Sequence, residues 1–300
     1  MKHNKPSATA ALVLQALVLA AKSPRLGKLV SPEAEHWARH LARTVVGSSH
    51  WARVFVDSPL LCRSIESVAS WINVGFLPHI VARKALISKL ADEAFVQGFT
   101  QLLVIGAGYD SLALRSARAH AGLRSLEIDH PATQRMKRRA LADVELPANL
   151  RLVAADLSTT TLAEALAKRD DFDPERPTLV VMEGLLMYLP EEVVRGLFGQ
   201  IKSLLKGHGR LRVVFTFLHR WPDGDIHFRG GSFLLKAWLR LKGEPFRWGL
   251  DKRQLSSFLD AVGFDVKKIY GAEDFAEIFF ANETSPRFAE GEHVAVADGT

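Results

Sequence analysis

The hydrophobic positions of the chain change rhythm near residue 100. Before that point they recur at helical spacing. An apolar run over 8–21 follows Lys2 and Lys5 and imitates the core of a secretion signal. It is too short to span a membrane as a helix. Its interior carries Gln15, and no small-residue cleavage site precedes Pro24, so the pattern predicts a buried N-terminal helix. Pro32, Glu33 and Glu35 open a second helix behind Ser31, a good N-cap. Further helices are expected over 64–74 and 80–95.

From Gln101 the pattern is that of alternating strands and helices. Gln101–Ile105 (QLLVI) is a continuous apolar run closed by glycine, as a strand buried on both faces would be. A helix is expected over 111–120, a strand over 123–128, and a helix after Pro131. Leu150–Ala154 and Thr178–Met182 read as strands three and four, separated by a short helix over 162–168. A long helix over 191–205 leads to a fifth strand over 210–217. This alternation specifies a parallel sheet of right-handed βαβ units with helices on both faces. An irregular, aromatic-rich stretch covers 218–250. A helix over 251–262 follows, then strands over 264–269 and 293–297 that can pair as an antiparallel hairpin around a long loop. The expected organisation is an N-terminal helical cap over 1–95 and an α/β, Rossmann-like domain over 96–300, with 218–250 a substrate-lid insertion.

Composition changes this picture little. The chain has 300 residues, 48% of them hydrophobic and 24% charged, enough to bury a substantial core. The formal net charge of +6 could favour an anionic partner, but the basic residues are dispersed. Their densest group, 135–139, falls on an expected helix and reads as a solvated face rather than a nucleic-acid patch. Cys62 stands alone and cannot form an internal disulfide, so it reads as a packed residue and a cytoplasmic home follows by default. No membrane segment and no paired metal-ligand spacing is visible, so no metal is expected.

The candidate chemistry lies where strands end. After strand one comes Gly106-Ala107-Gly108-Tyr109-Asp110, whose glycines permit a tight turn and close approach of a ligand to the backbone. Ser111 occupies the place of the third dinucleotide-fingerprint glycine. Asp110 would repel a pyrophosphate but suits a cationic sulfonium. Asp129 ends strand two and can accept from ribose hydroxyls. Asp156 follows strand three, where it can meet an adenine amine, and Glu183 follows strand four. Acids at four successive strand tips line the edge where open α/β sheets bind ligands. Ser111 and Asp110 favour S-adenosylmethionine over NAD, whereas Asp129 serves either.

At these residues the chain resembles the leucine carboxyl methyltransferase family, with its bacterial relatives that O-methylate small molecules. The matching segments are GAGYDSLALR, LEIDHPATQRMK, AADL and MEGLLMYLP, in family order. The resemblance implies a class I methyltransferase sheet, mostly parallel with a C-terminal antiparallel hairpin, and S-adenosylmethionine as cofactor. It implies that Arg83 binds the methionine carboxylate and that Gly106 and Gly108 line the methionine moiety. Asp129 would hold the ribose, with Asp156 and Leu157 at the adenine and Glu183 near the amino group. Tyr188 matches a family tyrosine on the acceptor side. Tyr109 and Ser111 depart from the commoner aliphatic residue and threonine.

Methyl transfer from a sulfonium mainly requires alignment and exclusion of water. A carboxylate acceptor needs no base, whereas a hydroxyl gains from one. The lid stretch suggests Trp221, His227 and Trp248 as acceptor contacts, with His219 and His227 as candidate bases. The expected partner is a small-molecule acceptor. Protein C-terminal carboxyl methylation, modification of tRNA, and a non-catalytic binding subunit stand as alternatives.

Overall fold

Gln101–Ile105 (β1) and Thr178–Met182 (β4) are buried at every position and take the centre of the sheet. The computed structural model describes residues 5–46, 75–166, 172–204, 210–229 and 233–300. Cys62 and the helix expected over 64–74 lie outside the described residues. Strands β2 (Arg124–Asp129), β3 (Leu150–Ala154), β5 (Leu211–Leu218), β6 (Phe264–Tyr270) and β7 (Glu292–Gly299) complete a seven-stranded sheet in the order β3-β2-β1-β4-β5-β7-β6. The first five strands run parallel, and β7 is antiparallel to both its neighbours.

The antiparallel pairing of the last two strands agrees with expectation, but the arrangement is more than a terminal hairpin. β7 slots between β5 and β6, and the connection holds a helix over Ala272–Phe280 where the apolar pattern predicts a long loop. Asp274 starts that helix by accepting from the Gly271 N–H at 2.8 Å. β6 is the sheet edge, and its exposed Asp265, Lys267 and Lys268 guard it against further pairing.

Helices cover both faces. One face carries α1 (Ala8–Ala20), α2 (Pro32–Val45), α3 (Phe76–Val96), α4 (Leu112–Ala119) and α5 (Pro131–Ala140). Leu14 and Leu17 of α1 share a core there with Leu86, Val104 and Val181. The opposite face carries α6 (Leu162–Leu166), α7 (Glu191–Leu204) and α9 (Leu255–Asp260), packed on Ile105, Val180 and Phe215. α1 begins behind an N-cap, Ser7, whose Oγ accepts from the Ala10 N–H at 3.1 Å. α2 does the same through Ser31. Within the stretch read as irregular, Phe233–Lys242 forms α8.

The basic run on α5 is not simply a solvated face. Arg135, Arg138 and Arg139 are exposed, but Lys137 is 1% exposed and pairs with Glu127 of β2 at 2.7 Å. An acid in a central strand needs a buried cation, and Lys137 is long enough to supply it. No helix among the described residues is long and apolar enough to cross a membrane.

Candidate active site

The parallel strands point their carboxyl ends at one sheet edge, where residues following β1, β2, β3 and β4 line a common cavity of about 420 Å³. That lies within the roughly 300–1,000 Å³ of small-molecule sites. At its floor is the turn after β1. Gly106 and Gly108 have φ of +71° and +55°, which side chains rarely tolerate. A side chain at Gly106 would meet Leu185, and one at Gly108 would meet Ala10 of α1. Lys137 reaches from below to donate to the Asp110 carbonyl at 2.5 Å.

Asp129 bridges the turn. Its two oxygens accept from the Gly108 N–H at 2.5 Å and the His130 N–H at 2.6 Å. Burial raises its carboxyl above the ordinary aspartate range, against the pull of those two bonds. Asp156 accepts from both the N–H and the hydroxyl of Ser158, and its other oxygen lies 3.5 Å from His130 Nε2. Leu157 lines the same end of the cavity.

A chain of alternating charges runs along the other end. Arg83 of α3 donates through Nε to Glu183 at 3.0 Å and through Nη1 to both oxygens of Glu292 at 2.8 Å. Lys84, the next residue, donates to Glu183 at 3.2 Å and also to Asp110. Burial alone would lower both cations and raise Asp110. The opposed charges outweigh it, holding Arg83 and Lys84 above their ordinary ranges and Asp110 below its own. Asp110 is therefore not the bare anion that its place in the motif suggests. Three carboxylates against two fixed cations still leave the cluster electronegative.

α1 and the insertion roof the cavity. Glu244, after α8, is buried and accepts from the backbone N–H groups of Ala8 and Thr9 at 3.0 Å each, and from the Thr9 hydroxyl. A carboxylate at a helix N-terminus satisfies donors that the helix itself cannot. Tyr188 also lines the cavity, and burial pushes its phenol up. Beside it Phe76, Phe228 and Phe246 make an aromatic wall, with Phe76–Phe228 centroids 5.4 Å apart and Tyr188–Phe246 5.7 Å.

All eight expected cofactor positions, namely Arg83, Gly106, Gly108, Asp110, Asp129, Asp156, Leu157 and Glu183, line this cavity, as does Tyr188. Four other candidates do not. Trp248 is fully buried in the sheet core against Phe258. Trp221 and His227 pack on each other 5.8 Å apart, and Trp221 donates to the His227 carbonyl. His219 meets Trp221 edge to face, with centroids 4.5 Å apart, and lies near His293. The insertion reaches the cavity through Phe228, Leu239, Glu244 and Phe246 instead. Lys84, Glu244 and Glu292 were missed. Lys84 had one signal, its place beside Arg83 on a helix.

The sequence profile of the leucine carboxyl methyltransferase family matches residues 23–202. The chain is 23% identical over 223 residues to YktD of Bacillus subtilis, provisionally named an S-adenosyl-L-methionine-dependent methyltransferase, covering 72% of this chain and 71% of that one. A protein of Mycolicibacterium smegmatis with the same provisional name is 29% identical over 230 residues, covering 67% and 72%. Among solved structures, one from Thermobifida fusca, provisionally named a methyltransferase, matches with a TM-score of 0.53 at 15% identity, over 80% of this chain and 88% of that one. That similarity shows a shared fold.

Proposed function

The chain belongs to the leucine carboxyl methyltransferase family and is an S-adenosylmethionine-dependent methyltransferase, and we propose that it methylates an oxygen, hydroxyl or carboxylate, of a small molecule with a flat apolar body. The strand-tip residues suit that donor. The turn at Gly106 and Gly108 leaves a cradle that side chains would fill. The three carboxylates Asp110, Glu183 and Glu292 outnumber Arg83 and Lys84, and that excess complements a ligand bearing positive charge. In this reading Arg83 faces the methionine carboxylate and Glu183 the amino group. Asp129 takes the ribose through its remaining lone pairs, and Asp156 and Leu157 meet the adenine.

When bound, the donor supplies a methyl group activated by its own sulfonium charge. The protein contributes alignment and a dry chamber. Glu244 fastens α1 across the turn, so the helix excludes water from the donor side. Thr9 has one hydroxyl proton, and it is directed to the Glu244 carboxylate, which can only accept. Tyr188 lines the cavity, and burial keeps its phenol protonated. It orients an incoming hydroxyl without removing its proton. A carboxylate acceptor arrives ionised and needs no base.

The observation that carries this reading is the wall of Phe76, Tyr188, Phe228 and Phe246, which offers stacking surface to a planar acceptor. A secondary metabolite with an aromatic ring fits it. The test is to supply donor with a labelled methyl group alongside aromatic carboxylic acids, phenols, tRNA and protein extract. Label in the small aromatic compounds, lost in Phe246→Ser, supports the reading. Label confined to tRNA or protein overturns it.

A further inference from the structure

A guanidinium that reads a ligand must itself be held, and Arg83 is held from behind. Glu292, the first residue of β7, is 1% exposed, and both its oxygens accept from Arg83 Nη1 at 2.8 Å. His79, one helical turn before Arg83 on α3, lies on the other side of that carboxylate, with Nε2 3.0 Å from Glu292 Oε2. Burial would raise the Glu292 carboxyl, but Arg83 and His79 outweigh it and hold it down to about 2. An ionised carboxylate only accepts, so Nε2 carries the His79 proton and donates it. On its other side Arg83 meets Glu183, with Nη2 2.8 Å from Oε1, and the same nitrogen faces Gly184, where no side chain intervenes. The guanidinium plane is thus fixed at both edges, with Nη2 toward the cavity.

We propose that Glu292, seated by His79, is a positioning residue that fixes Arg83 at the amino-acid end of the donor site and so governs affinity for the methionine part of the cofactor but not for its nucleoside. This rests on the reading that Arg83 faces the methionine carboxylate. With Glu292 made neutral, the charged hold of its two oxygens on Nη1 is lost and the guanidinium can turn wholly onto Glu183, away from a ligand carboxylate.

The test compares two ligands by calorimetric titration. S-adenosylhomocysteine carries the amino acid, and 5′-methylthioadenosine keeps the nucleoside and sulfur without it. Glu292→Gln is expected to weaken S-adenosylhomocysteine about tenfold, and His79→Ala about threefold, the loss of one or part of one charged hydrogen bond. Binding of 5′-methylthioadenosine stays at the wild-type value in both. Equal weakening of the two ligands would show a merely structural role and overturn the proposal, as would unchanged or tighter S-adenosylhomocysteine binding. If Glu292→Gln does not fold, His79→Ala decides by the same comparison. Wild-type protein that binds 5′-methylthioadenosine as tightly as S-adenosylhomocysteine would instead overturn the Arg83 reading beneath it.

Discussion

Glu244 and Thr9 are 235 residues apart in the chain, yet the carboxylate of one accepts both the N–H and the hydroxyl of the other. This contact joins the insertion to α1 directly above the Gly108 turn, where Ala10 lies close enough to meet any side chain placed at Gly108. Replacing Glu244 with Gln removes the charge from the helix N-terminus and one of its accepting oxygens. We expect a loss of about 1–2 kcal/mol of stability and faster release of S-adenosylhomocysteine. Thermal unfolding and stopped-flow displacement measure the two effects. An unaltered release rate would refute the role of α1 as a cover.

Gly106→Ala adds a side chain at φ +71°, costing about 1–2 kcal/mol of backbone strain, and drives its Cβ against Leu185. The variant is expected to lose cofactor affinity. Leu185→Ala in the same chain removes the closest contacts but neither the Leu185 Cβ nor the strain, so it restores part of the binding. A double-mutant cycle with no coupling between the two positions would contradict this geometry.

Asp129→Asn is expected to be more harmful than the small change in shape suggests. Both oxygens now accept backbone N–H groups, and an amide must turn its own N–H₂ toward one of those donors. Cofactor affinity should fall at least about tenfold. Retention of wild-type affinity, read by calorimetry, would exclude the carboxylate from both jobs.

Lys137→Met leaves Glu127 buried without its cation. Breaking one side of such a pair costs about 3–5 kcal/mol, while Glu127→Leu in the Lys137→Met background should recover much of it. Burial already raises the Glu127 carboxyl, even with Lys137 opposing it. Denaturant unfolding of the two variants and the wild type measures the prediction. A single mutant as stable as the wild type would mean that the pair contributes nothing.

His293 is pushed down to about 4, by burial first and then by Lys252, His219 and His79. A folded-state value below the ordinary 6.5 means that the unfolded chain binds the proton more readily. The resulting stability is full above pH 6.5 and is lost as pH falls through 4, a contribution of roughly 3 kcal/mol. His293→Gln removes this dependence. The melting temperature of the wild type should therefore decline relative to the variant across that window, and parallel curves would sink the argument.

The donor end of the site was legible because its residues follow strand ends. A parallel sheet brings every carboxyl-terminal tip to one edge, so Asp110, Asp129, Asp156 and Glu183 meet without any long-range pattern being known. The partners that settle their charges were not legible. Lys84 pairs with Asp110, Glu292 with Arg83 and Glu244 with Thr9 across many residues, and such pairings leave no local periodicity. Glu127 did carry a sign, since an acid inside an apolar strand demands a buried cation. The aromatic insertion was misread for a different reason. Aromatic residues fill cores and cavities alike, and composition alone does not separate Trp248, inside the sheet core, from Phe246, on the cavity wall.

The position of β7 bears on how the molecule is made. A strand that comes later in the chain than both its neighbours must be threaded into a slot they have left open. Until it arrives, β5 presents a bare apolar edge and α3 holds an Arg83 with no Glu292 behind it. The binding end is therefore electrically incomplete until Glu292, 209 residues after Arg83, is in place. Pairings of such long sequence separation form slowly. The nascent chain is open to edge-to-edge association for that interval, and capture of S-adenosylmethionine would report that the last strand has gone in.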